Sequence, residues 1–266
     1  FPERYSTEKD NIAFSCVMGF DIDPLAVMLA KVNWVMSMRD LFRVHHGDII
    51  VPIYHADSLF VATPITHHMP NTADDAYVLH FDDYEVNLPA FLLSPEHRKI
   101  FDSFMAKTHR LAMARATEDE NQITSEVLDE LIDAVQTESE EMLSAENKQA
   151  LILAARQLVD ELEHLQREGR NGIWYFVICN SYRPGLVGRQ FNCIVSNPPW
   201  MAMSKLVDNP YKTTLQEIAQ RYDIKPMGAA HPHMELATIF LLSAVDRYLE
   251  DGALWSCVMP GSLLSG

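Results

Sequence analysis

Two hydrophobic periods alternate along the chain. Residues 13–21 (AFSCVMGFD) are almost all apolar and end on an acid, the pattern of a strand running into a polar turn. Apolar residues then recur at three- and four-residue spacing through Leu25, Ala26, Met28, Leu29, Val32 and Met36, which predicts a helix. Asp23 suits its N-cap and Pro24 its first position. Residues 48–56 (DIIVPIYHA) predict a second strand, giving way to Asp57, Ser58 and Leu59.

Beyond about residue 67 the pattern changes. An irregular acidic stretch carries Asp74, Asp75, Asp82, Asp83 and Glu85, and helical periodicity follows over 98–115, 124–143 and 146–168. Thr124 and Ser144 stand at two helix starts. Residues 173–179 (IWYFVIC) are apolar on every side and fit helix or strand equally. Residues 191–195 predict a buried strand, 201–223 a polar and partly helical region, and 235–248 an amphipathic helix closed by Asp251 and Gly252. Residues 253–259 predict a last strand, ended by Pro260 and Gly261. The chain thus divides into 1–66, a helical insertion over 67–170, and 171–266.

Charge changes this picture more than composition does. The 48% apolar fraction supports a sizeable core, and no apolar run approaches the length of a membrane span. Cys16, Cys179, Cys193 and Cys257 sit apart in apolar runs without a C-x-x-C pair, which predicts free, buried thiols in a reducing cytoplasm. The net charge is −16, and 67–170 holds 22 acids against 9 basic residues. Phosphate affinity comes from Lys and Arg, so a DNA substrate would need a basic recognition part outside this chain. The insertion reads as a lid, spacer or protein-docking arm, or as a solvated decoration without a role. The pairs His45–His46, His67–His68 and His231/His233 lack acidic or cysteine partners at ligand spacing, so loop roles are expected and no metal site.

The candidate chemistry lies in Asn197-Pro198-Pro199-Trp200, directly after the strand at 191–195. The two prolines lack N–H groups and bias the residues before them to extended backbone, so a rigid corner forms at the carboxyl end of a strand. In open α/β sheets that edge is where ligands bind. An amide, the Pro198 carbonyl and an aromatic face suit a planar ligand bearing an amino group.

A strand ending in Asn-Pro-Pro-aromatic resembles the catalytic signature of amino-methyltransferases that use S-adenosylmethionine. They include N6-adenine DNA methyltransferases, guanine-N2 rRNA methyltransferases and release-factor glutamine methyltransferases. GFDIDPLAVMLAKVN resembles the family's ribose-binding segment with Asp21 at the ribose position, and ADSL resembles its adenine-binding segment with Asp57 and Ser58. GALWSCVMPGSLL resembles the strand and loop that follow the motif, where Pro260 with Pro199 would line the acceptor pocket. Asn192 departs from the family, which often has Asp there.

The resemblance implies a class I methyltransferase fold, a doubly wound Rossmann-like sheet, with S-adenosylmethionine as cofactor and DNA as partner. The aromatic run before the catalytic strand favours the adenine-specific DNA enzymes of restriction-modification systems. Asn197 and Pro198 would then accept hydrogen bonds from the target amino group, with Trp200 stacked on the base. The family's glycine-rich loop has no counterpart before residue 21, and both ends look cut, so the chain is expected to be a fragment lacking part of its cofactor site and its central strand. An RNA guanine or a protein glutamine as acceptor stays open, as does a methyltransferase-like scaffold without activity.

Overall fold

A computed structural model describes residues 16–43, 45, 49–59, 76–81, 84–117, 123–169, 173–206, 210–224, 235–259 and 261. The architecture is mixed α/β and mostly helical, with three two-stranded sheets among the described residues. No described helix is long and apolar enough to cross a membrane.

β1 (Gly19–Asp21) pairs in parallel with β2 (Ile53–His55), and α1 (Pro24–Phe42) connects them on the β1 side. Gly19 allows the close pairing, since a Cβ there would lie 3.0 Å from the Ile53 Cδ1 atom. The Asp23 carboxylate accepts the Leu25 N–H at 2.9 Å and Pro24 opens the helix, as the sequence predicts. One face of α1 buries Val27 and Trp34 against Ile53. The opposite face leaves Leu25, Met28, Leu29, Val32 and Met36 each 54–61% exposed, so α1 is apolar on two sides and covered on one.

The insertion opens with an antiparallel pair, β3 (Ala76–Phe81) and β4 (Tyr84–Pro89), where an irregular stretch was expected. Its signal is the alternation AYVLHF and YEVNLP on either side of residues 82–83, which the local acidity hides. Three helices follow: α2 (Arg98–Thr117), α3 (Ser125–Ser139) and α4 (Ala145–Arg167). Thr124 and Ser144 cap α3 and α4 by accepting the N–H groups of Val127 and Asn147. Ile100, Phe101, Phe104, Leu128, Ile132 and Leu151 are fully buried between the helices. Each such side chain contributes roughly 1.5–3 kcal/mol. Glu163 joins the far ends of the bundle, receiving Arg115 at 2.9 Å and Arg167 at 3.0 Å.

The ambiguous run after the insertion is a helix, α5 (Ile173–Tyr182). Its Ile178 and Tyr182, with Leu186 beyond, enter the same core as the insertion helices. That core is the largest among the described residues, and α5 shares it with the insertion helices.

β5 (Phe191–Ser196) pairs in parallel with β6 (Leu249–Cys257). Between them run α6 (Pro210–Arg221) and α7 (Leu236–Tyr248), which pack Leu215, Ile218, Leu236 and Ile239 around Met203 and Leu59. Asp251 and Gly252 do not close α7, which already ends at Tyr248. They lie in an irregularity where the register jumps from Phe191↔Leu249 to Cys193↔Leu254, and Gly252 takes φ +81° there. Arg189 ties this bulge by donating to the Leu249 carbonyl and the Asp251 carboxylate.

The two parallel pairs stand as separate sheets among the described residues rather than as one doubly wound sheet. One face of the β5–β6 pair, formed by Cys193, Val195, Leu254 and Ser256, is exposed. The cysteines are free, as expected, but they are not all buried: Cys16 and Cys193 are exposed, and Cys179 and Cys257 are half-buried. An apolar neighbourhood in sequence buries Cys193 only where something covers its face of the strand.

Candidate functional site

The acceptor corner grows out of the end of β5. Ser196 is in register with Cys257, and its carbonyl accepts the Val258 N–H at 3.0 Å. The chain then turns through Asn197 (exposed), Pro198 (buried), Pro199 (exposed) and Trp200, which is 57% exposed. The Trp200 indole N–H returns to the same residue just past β6, donating to the Val258 carbonyl at 2.9 Å. Just beyond, the Met201 carbonyl accepts the Leu236 N–H at 2.9 Å, and Ala202 bridges to Glu235. Both flanks of the corner are thereby fixed, one to the end of β6 and the other to the start of α7. Asn197 and the Trp200 ring are left facing outwards, an amide beside an aromatic surface.

The second group lies at the carboxyl ends of β1 and β2. Asp21 is exposed; its carboxylate accepts the Asp23 N–H at 2.8 Å, and its carbonyl accepts the Ala56 N–H at 3.0 Å. His55 Nε2 lies 2.9 Å from the Ile22 carbonyl and braces the same turn. The Asp57 carboxylate accepts the Leu59 N–H at 2.9 Å. Two acids therefore project from neighbouring strand ends, and a carboxylate offers about four acceptor positions, more than these turns use at Asp21. That fits paired hydroxyl or amino donors on a nucleoside. The Ser58 carbonyl is taken by the Tyr248 hydroxyl. Burial raises the Tyr248 pKa, so this donor keeps its proton throughout the physiological range.

The structure brings Asp21, Asp57 and Ser58 together, and separately Asn197, Pro198, Pro199 and Trp200. Leu59, beside Ser58, packs in one cluster with Met203 and Leu236, next to the acceptor corner. Ser58 is tied to Tyr248, which directly precedes Leu249, the partner of Phe191 at the start of β5. Asn197 follows Ser196 at the other end of that strand. Pro260, His46, His67, His68, His231 and His233 lie outside the described residues. Among the described residues no group of three His, Cys, Asp or Glu side chains is placed to hold a metal ion.

Sequence reasoning missed two residues here, Val258 and Tyr248. The choice of Trp at 200 carries a faint signal for the first, because an indole brings an N–H donor that Phe lacks. Nothing in the sequence named its acceptor.

An amide-Pro-Pro-aromatic corner thus closes one parallel strand, and two acids stand on neighbouring strand ends in a mixed α/β chain. The family described as Eco57I restriction-modification methylase matches residues 15–266, and the chain belongs to that family. It is therefore a methyltransferase of the restriction-modification type. No curated protein and no solved structure matches the chain.

Proposed function

We propose that the protein transfers a methyl group from S-adenosylmethionine to the N6 amino group of adenine in DNA, as the modification enzyme of a cytoplasmic restriction-modification system. The observation that carries this reading is the corner itself: Asn197 exposed beside an outward-facing Trp200, both flanks anchored to neighbouring backbone. The adenine amino group is a weak nucleophile because its lone pair is shared with the ring. Hydrogen bonds accepted by the Asn197 side chain and the Pro198 carbonyl favour a pyramidal nitrogen and stabilise the positive charge that develops on it. The base leaves the duplex to reach them, and Trp200 holds it by stacking, an interaction typically worth about 1–3 kcal/mol.

Asp21 would hold the cofactor ribose, and Asp57 with Ser58 its adenine. The cofactor supplies an activated methyl group on sulfur. Transfer needs that carbon and the acceptor nitrogen about 3–3.5 Å apart. The competent form is then a doubly wound sheet in which both parallel pairs turn their carboxyl ends to one edge, Pro199 and Pro260 lining the acceptor pocket. In the division 1–66, 67–170 and 171–266, the insertion serves as a spacer or protein-docking arm, and DNA is gripped mainly by a basic region elsewhere.

The test is to incubate the intact protein with isotopically labelled S-adenosylmethionine and unmethylated DNA, digest the DNA to nucleosides and identify the product by mass spectrometry. Labelled N6-methyl-2′-deoxyadenosine is expected, and its formation should fall by at least about 100-fold in Asn197→Ala, the scale of losing a transition-state hydrogen bond. Label found only when RNA or protein is supplied in place of DNA would replace this reading with another acceptor.

A further inference from the structure

Val258 is held twice by the residues that bracket the acceptor corner. Its N–H is donated to the Ser196 carbonyl at 3.0 Å, and its carbonyl receives the Trp200 indole N–H at 2.9 Å. Ser196 immediately precedes Asn197, and Trp200 ends the motif. The four-residue turn is thus closed into a ring through a single residue just past the end of β6. Trp200 is 57% exposed and Val258 56% exposed, so packing alone does not fix the indole. The hydrogen bond selects one ring orientation from the several rotamers that an exposed Trp would otherwise visit.

We infer that Val258 is a positioning residue for the aromatic platform, and that its carbonyl holds Trp200 in the orientation that receives an extrahelical base before any base arrives. This rests on the function proposed above. A platform present in the receiving orientation only part of the time weakens apparent base binding in proportion to that fraction. The loss falls on ground state and transition state alike, so it appears in KM rather than in kcat. Trp is thereby distinguished from Phe at this position by its donor as well as by its area. Asn197 gains as well, because the ring through Val258 sets both ends of the turn that presents its amide.

The test replaces the Trp200 indole by benzothiophene, introduced as an unnatural amino acid in the intact protein. This keeps a two-ring face and substitutes sulfur for the N–H. KM for DNA should rise roughly three- to tenfold, the range of one neutral hydrogen bond, with kcat within about twofold of wild type. With 2-aminopurine at the target position, the fluorescence rise that marks the flipped base should be smaller than with wild type at equal, subsaturating enzyme. Trp200→Phe, which keeps a smaller face and no donor, should raise KM at least as far. A benzothiophene variant with wild-type KM overturns the inference, and so does one in which kcat falls while KM stays. A wild-type enzyme that methylates no adenine overturns the function beneath it, a result distinguishable because it needs no variant.

Discussion

Arg183 grips Asp102 through both terminal guanidinium nitrogens, at 2.9 and 3.3 Å. Asp102 belongs to the insertion helix α2, and Arg183 follows α5 while its guanidinium lies 5.2 Å over the Tyr54 ring on β2. One side chain therefore links the insertion, the helix leading to the acceptor strand and the strand that precedes Asp57. The Arg183 side chain is nearly buried while Asp102 is 44% exposed. Removing one partner of a fully buried pair costs about 3–5 kcal/mol, and exposure of Asp102 lowers the expectation for Arg183→Met to about 1–2 kcal/mol. Arg183→Lys should recover little, since an ammonium can neither fork onto the carboxylate nor stack on the ring in the same way. Denaturant unfolding of the three proteins measures this, and a lysine variant as stable as wild type would show that only the charge matters.

The acidity of the insertion leads to a salt prediction. Because the insertion shares its core with Ile178, Tyr182 and Leu186, cutting it out would strip cover from α5, and neutralising it in place is the cleaner change. Glu126, Asp129, Glu130 and Glu146 are exposed on α3 and at the start of α4. Converting them to Gln and Asn should leave both DNA affinity and its salt dependence unchanged if this surface faces away from the duplex. Titrations across a salt series decide it; tighter binding that fades as salt rises would place these acids beside the phosphates.

Thiol reactivity separates the cysteines. Burial pushes the Cys179 thiol up to about 12, while Cys193 lies exposed on the bare face of the β5–β6 pair. At pH 8 only about one Cys179 in 10,000 is thiolate, the reactive form. Iodoacetamide should therefore label Cys193 and spare Cys179 until the protein is unfolded, as read by peptide mass spectrometry. The same burial shapes stability. Cys179 and Tyr175, ordinarily near 9.0 and 10.0, are both raised to about 12, so the folded chain keeps protons that the unfolded chain releases. Their stabilising contribution is complete below pH 9 and is lost as pH rises from there to 12. Denaturation midpoints should be flat up to about pH 8.5 and fall beyond it.

These groups also show what a sequence discloses. Asp23, Thr124 and Ser144 were readable as helix caps because a cap is a local bargain between one side chain and an N–H two or three residues on. The acceptor corner was readable because two prolines act on their own neighbours. The β3–β4 pair was hidden by acids that mask an alternating pattern, and the run at 173–179 could not declare itself because burial on every side erases periodicity. Cys193 misled because exposure depends on what covers a sheet face. The clasp of Trp200 on Val258 joins residues 58 positions apart and depends on a register jump in β6 that no local pattern announces.

Cofactor affinity depends on which end of S-adenosylmethionine the site holds. Asp21 and Asp57 stand at the carboxyl ends of β1 and β2, tied through Ser58 and Tyr248 to the start of the β5–β6 pair, and Asn197 stands at its end. A cofactor held by its ribose and adenine at the first group must still place its methyl group against an amino nitrogen at the second. Asp21, Asp57 and Ser58 address only the nucleoside end, so S-adenosylmethionine should bind weakly, with a Kd above about 100 μM by calorimetry. Adenosine alone should bind about as well, because the methionine end adds nothing. Asp21→Ala should abolish what binding there is, while Asn197→Ala leaves it unchanged. Tight binding, with S-adenosylmethionine far preferred over adenosine, would show that further groups grip the methionine end.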